Sequence, residues 1–154
     1  MQKTTILDRL TVVLDNADSF GPVSDAWVGD AERALGVVFP SSYRTFLRKF
    51  GASFIIAHRL AGLPDEPKSG ETPIWSDVVL VNTQIQKSCG GHIASTLVAI
   101  SDDGCDDTFY LDTGALDLEG ECPVVVLGPG RDCEVVAPSF VDFLEKVAAN
   151  RMMP

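Results

Sequence analysis

A chain of 154 residues with 45% hydrophobic side chains is long enough to bury roughly 70% of its unfolded surface around one core, and too apolar to be disordered. Its 22 acidic and 12 basic side chains leave a net charge of −10, which argues against general binding to nucleic acid or anionic membrane and favours basic partners. No apolar run approaches the ~20 residues of a membrane helix, and Asp8 and Arg9 stand where a secretory apolar region would lie, so one cytoplasmic domain over residues 1–154 is expected.

Residues 3–15 place Ile6, Leu7, Leu10, Val13 and Leu14 on one stripe and predict a helix. Asn16 to Val23 reads as a loop punctuated by Gly21-Pro22. Ser24 or Asp25 can cap a second helix, in which Trp27, Ala31, Ala34 and Leu35 share a face and Gly36 supplies a left-handed stop. Val37 to Phe39 should be extended, because the residue before a proline is pushed out of the α region. Pro40 then fits the first turn of a third helix over residues 40–50, where its missing N–H costs nothing. Phe39, Tyr43, Phe46, Leu47 and Phe50 line one side of that helix, and Gly51 ends it.

After Gly51 the period changes. Ser53 to Ala57 (SFIIA) is short, β-branched and apolar, which predicts a strand, with Leu60 to Leu63 continuing the sheet after a turn. Pro64 to Pro73 is a polar loop with three prolines and is expected to be flexible. Residues 77–88 admit two readings. Val78, Val81 and Ile85 fit a helix capped by Asp77, whereas Val78 to Val81 alone would suit a strand; the helix is preferred. Thr96 to Ile100 and Thr108 to Asp112 flank an Asp- and Gly-rich turn and should pair as a hairpin, and Pro123 to Leu127 and Cys133 to Ala137 flank a second turn at Gly128-Pro129-Gly130. Ser139 can cap a last helix, to Arg151, that turns Phe140, Phe143, Leu144 and Val147 inward. N-terminal helices, an antiparallel meander and a C-terminal helix packed on the sheet make an α+β fold.

The chemistry-bearing residues form no catalytic, cofactor or metal set. Cys89, Cys105, Cys122 and Cys133 lack metal-ligand spacing and read as reduced, partly buried packing groups. Cys89 and His92 lie close in sequence with no orienting carboxylate, and His58 follows an apolar strand, where a structural role suits it better than that of a base. The run Asp102-Asp103-Gly104-Cys105-Asp106-Asp107 fails the alternate-oxygen spacing of a calcium loop. The charge is unevenly spread, however. From Ser88 to Gly130 there is no Lys or Arg, while Asp102, Asp103, Asp106, Asp107, Asp112, Asp117, Glu119 and Glu121 all fall inside. A hairpin would crowd Asp102, Asp103, Asp106 and Asp107 at one tip. These four, with Asp117, Glu119 and Glu121, are the candidate partner-binding residues, and a surface that serves solubility alone is the equal alternative.

A helix ending in Glu32, Leu35 and Gly36, an apolar link, Pro40, then Tyr43, Phe46 and Leu47 running into Gly51, resembles the opening of the SUKH superfamily. Ile100 to Asp112, and Ser139-Phe140 with Phe143-Leu144, fit its later segments, although Phe50 stands before Gly51 where the superfamily usually carries Asn. That superfamily contains bacterial immunity proteins and a fungal regulator of cell-wall synthesis. The resemblance implies the same α+β arrangement and an immunity protein that masks a basic toxin, a nuclease in the first instance, by direct contact without cofactor or turnover. The alternative it leaves is an intracellular scaffold or regulatory interaction domain; an enzyme is the least favoured reading.

Overall fold

The computed structural model describes residues 5–14, 18–19, 22–55, 58–63, 76–89, 93–102, 107–128 and 131–149. The first helix, α1 (Ile6–Val13), is shorter than the apolar stripe suggests. Thr5 and Asp8 close a reciprocal cap around its first turn, and Leu14 already leaves helical geometry. Within the expected loop, Asp18–Ser19 forms a two-residue strand, β1, paired to the strand that follows the third helix. Ser24 Oγ accepts from the backbone N–H of Trp27 (3.2 Å) to start α2 (Asp25–Leu35), and Gly36, at φ 69°, stops it. Pro40 sits one position earlier than expected: its ψ of 157° makes it the N-cap of α3 (Ser41–Phe50) rather than a first-turn residue. Its carbonyl takes the N–H of Arg44 (3.0 Å), so the missing proline donor still costs nothing.

The sheet is a continuous meander. After β2 (Ser53–Ile55), β3 (His58–Leu60), β4 (Leu97–Asp102), β5 (Thr108–Asp112), β6 (Val124–Gly128) and β7 (Arg131–Ala137) follow, and each pairs antiparallel with its sequence neighbour, giving seven strands in order. Between β3 and β4 the chain detours through α4 (Val78–Cys89), so the helical reading of residues 77–88 holds; Asp77 Oδ1 accepts from the N–H groups of Val79 and Leu80 as the cap. The chain closes with α5 (Phe140–Ala148), capped by Ser139 as expected. The α+β architecture anticipated from the sequence is the one the chain adopts. The Pro64 to Pro73 loop, Trp75, His92, Cys105, the tip Pro129-Gly130 and Arg151 lie outside the described residues.

Both faces of the sheet are covered. On one face Val98, Ile100, Phe109, Leu111, Val124 and Val126 pack against the apolar sides of α1, α3 and α5. Tyr43 and Phe46 each meet Phe140 there edge-on, with ring centroids 5.0 and 5.3 Å from it, and Phe109 lies 5.1 Å from Phe143. Tyr43 is fully buried, and its hydroxyl donates to the carbonyl of Ala61 (2.6 Å), which satisfies the one polar atom it brings into the core. On the other face Ala99, Tyr110 and Val125 pack under Val81 and Ile85 of α4. Two covered faces explain why β4 reads as an unbroken apolar run instead of an alternating one.

The sheet edges are irregular. At one side β1 is two residues long. At the other, the β6–β7 register shifts twice, and Cys133, at φ 54°, occupies one of the extra positions with its side chain exposed.

Candidate partner-binding surface

The acidic stretch divides at β5. Asp102 ends β4 and Asp107 precedes β5, whereas Asp117, Glu119 and Glu121 follow β5; the strand separates the two groups by roughly 14 Å, at ~3.4 Å per residue. Asp103 and Asp106 lie outside the described residues. The five described carboxylates of that sequence grouping thus fall at two ends of one strand.

At the hairpin end, Asp102 is not an uncancelled charge. Register places Arg59 of β3 directly opposite it, and the guanidinium Nη2 donates to both carboxylate oxygens at 3.0 Å. The cation that sequence proximity could not supply arrives from the neighbouring strand.

At the other end, the chain leaves β5 through a short 3-10 turn, Thr113–Ala115, anchored by the N–H and hydroxyl of Thr113, which both donate to the carbonyl of Thr96. The loop beyond it is built around Asp117. Its Oδ1 accepts from the N–H groups of Glu119 (2.9 Å) and Glu121 (3.0 Å), while its own N–H donates to the carbonyl of Glu121 (2.7 Å). Gly120 adopts φ 81° and approaches α3 so closely that a Cβ there would lie 2.9 Å from Ser41 Oγ; its carbonyl accepts the N–H of Ser41 (2.8 Å). Asp117 and Glu119 are exposed, with the Oδ1 of Asp117 committed to the loop.

Glu121 behaves differently from the role expected of it. It is buried, with 9% of its surface exposed, and accepts hydrogen bonds from the backbone N–H (3.0 Å) and the hydroxyl (2.7 Å) of Ser42 in the first turn of α3. Burial pushes its carboxyl above the usual range, and the bonds from Ser42 oppose that rise. A carboxylate enclosed this way fastens the loop to the helix and offers nothing to a partner.

Sequence reading missed the apolar side of this surface. Leu118 is 106% exposed, Val38 53% and Leu116 38%. Leu116 and Val38 line a groove of about 520 Å³ between the end of α2 and the loop, with Val37, Gly29 and Gly36. The alternation Leu116-Asp117-Leu118-Glu119 was the available signal: it has strand periodicity in a stretch that forms no strand. The joint behind the groove is held by Glu32, whose Oε2 accepts from the N–H of Phe39 (2.7 Å) and from Nε and Nη2 of Arg44.

Among the described residues no group of three His, Cys, Asp or Glu side chains gathers as a metal site. Cys122 is buried, and burial, reinforced by Asp112, pushes its thiol up to about 12, the opposite of an activated thiolate. Cys133, expected to be partly buried, is exposed because it sits at a bulge of the edge strand. Among the described residues no helix is long and apolar enough to cross a membrane.

A model of the SMI1/KNR4 family (SUKH-1) matches residues 22–146, which run from the cap of α2 into α5 and take in both groups of acidic side chains. No curated protein matches the chain.

Proposed function

We propose, from the premise that the chain belongs to the SMI1/KNR4 family (SUKH-1), that it is an immunity protein that binds a cognate toxin in the cytoplasm and blocks it by direct contact. The observation that carries the reading is the solvent-facing pair Asp117 and Glu119, within a stretch from Ser88 to Gly130 that contains no Lys or Arg. A toxin that cleaves nucleic acid must present a positive cleft to phosphate, and an acidic protein can fill that cleft by presenting carboxylates where phosphates would lie. Blocking of this kind needs a fixed surface and no turnover, in keeping with a buried, unactivated Cys122 and with a loop fastened to α3 at Ser41 and Ser42.

The test is capture from native cells on the immobilised full chain, followed by production of the captured protein with and without this one. A basic toxin that kills alone and is tolerated in the presence of this chain is the expected result. Capture of a biosynthetic or cell-wall enzyme, with no toxicity to suppress, would replace this reading with a regulatory one.

A further inference from the structure

We infer that Leu118, with the apolar groove beside it, anchors this chain to its partner, and that the complementary surface is an apolar pocket rimmed by Lys or Arg. The inference rests on the reading that the chain binds a basic protein, and adds the place and the chemistry of contact. A single exposed leucine means little on a protein surface. Leu118 differs in three respects.

The first is its support. The loop that carries it is closed by the bonds of Asp117 to residues 119 and 121, and pinned to α3 through Ser41 and Ser42, so Leu118 is held outward. A side chain fixed in the bound position has little ordering entropy left to lose on docking.

The second is its surroundings. Leu116, two residues before it and also exposed, lines the groove with Val38, and Gly36 leaves that end open: a Cβ built there would meet nothing within 4 Å. The result is an apolar centre, the usual anatomy of a hot spot.

The third is charge. Asp117 and Glu119 flank Leu118 and face solvent. The cation that lines the groove, Arg33, is paired with Asp30, and the groove's own carboxylate, Glu32, is taken up by Phe39 and Arg44. An apolar knob between two exposed carboxylates complements an apolar hole between cations, and mismatches acidic or neutral polar surfaces.

The experiment uses the full ¹⁵N-labelled chain titrated with a short peptide of alternating leucine and lysine, beside a glycine–lysine peptide of the same charge. Amide shifts should centre on residues 36–38 and 116–119. Leu118→Ser should weaken binding roughly tenfold or more, while Leu80→Ser, at an exposed leucine on α4, should leave it unchanged. Equal binding of the glycine–lysine peptide, shifts centred elsewhere, or equal weakening by Leu80→Ser would each overturn the proposal. Concentration-dependent shifts of the same amides without peptide would identify a second copy of the chain as the occupant and overturn it too. Both substitutions are at exposed positions, and an unchanged amide spectrum elsewhere confirms the fold. If a toxin is captured and Leu118→Ser binds it as tightly as the parent, the docking site is wrong while the immunity reading stands. If no toxin is captured, that reading fails and the peptide titration still decides the surface.

Discussion

Ser42 and Glu121 stand 79 residues apart in the chain and are joined by two hydrogen bonds, backbone N–H and hydroxyl to one carboxylate, in a buried position. The bond pair fixes the acidic loop against the first turn of α3, so the exposed side of the loop is set by a contact on its buried side.

The linkage of that contact to pH has a definite sign. The carboxyl of Glu121 is raised in the folded chain, mainly by burial, so the folded state holds its proton to higher pH than the unfolded state does. Its contribution is therefore largest below the unfolded value, near 4.5, and is lost as pH rises through the folded value. Asp142 acts oppositely. Against burial, Ser139 and Arg9 hold it below the carboxylate range, and its contribution is lost as pH falls. Comparing parent with Glu121→Gln cancels the Asp142 part. The melting temperature of Glu121→Gln relative to the parent should rise as pH is taken upward from about 4.5; a constant difference across that window would show that burial does not shift this group.

Phe46 is fully buried and touches Tyr43, Phe50 and Phe140. Phe46→Ala should cost about 3–5 kcal/mol, a drop in Tm of roughly 6–20 °C for a chain of this length. Thermal unfolding followed by circular dichroism checks it, and a loss of a degree or two would mean that α3 is not packed on the sheet.

The cysteines should separate by reactivity. Exposed Cys133 should alkylate readily in the native protein, while buried Cys122, its thiol pushed up to about 12, should react only on unfolding. Mass spectrometry after a timed iodoacetamide pulse reads both. Replacing all four cysteines with Ser or Ala should lower stability and leave partner binding intact whenever the variant folds.

Electrostatic attraction acts mainly on the rate of encounter, and weakens as the Debye length falls from ~10 Å at 0.1 M salt to ~3 Å at 1 M. Asp117→Asn with Glu119→Gln keeps the side-chain oxygen that closes the loop while removing both exposed charges. It should slow association with a basic partner at low salt and matter little at high salt. Changing Asp102, Asp103, Asp106 and Asp107 together to Asn tests the hairpin tip in the same way, with a smaller effect expected at Asp102 because Arg59 already offsets it. Stopped-flow kinetics at two salt concentrations distinguish the two ends; unchanged rates for both variants would mean the acidic surface only keeps the chain soluble.

Much of the fold was legible because its signals are local. Ser24, Gly36, Gly51 and Ser139 mark helix ends within one turn of where they act, and the Asp- and Gly-rich segments mark the hairpins. What escaped depends on residues far apart in the chain. Arg59 neutralises Asp102 across two strands that α4 separates in sequence, and Glu121 is buried because the chain returns to α3. The Val78 to Val81 run taken alone also suits a strand, and the surface covered by Val81 and Ile85, which is Ala99, Tyr110 and Val125, goes with the preferred helix. Leu118 escaped for a related reason: its exposure follows from the turn around Asp117, not from its own apolar character.

The two ends of the sheet have a bearing on how this chain can meet other proteins. An edge strand that is long and flat offers its free N–H and C=O groups as a template for a further strand, from a partner or from a second molecule. Among the described residues β1 gives Asp18 and Ser19, and the β6–β7 register shifts twice, with Cys133 at a positive φ. Among the described residues neither edge presents the straight ladder that strand addition requires. At the β7 edge, growth of the sheet from chain to chain is thereby discouraged.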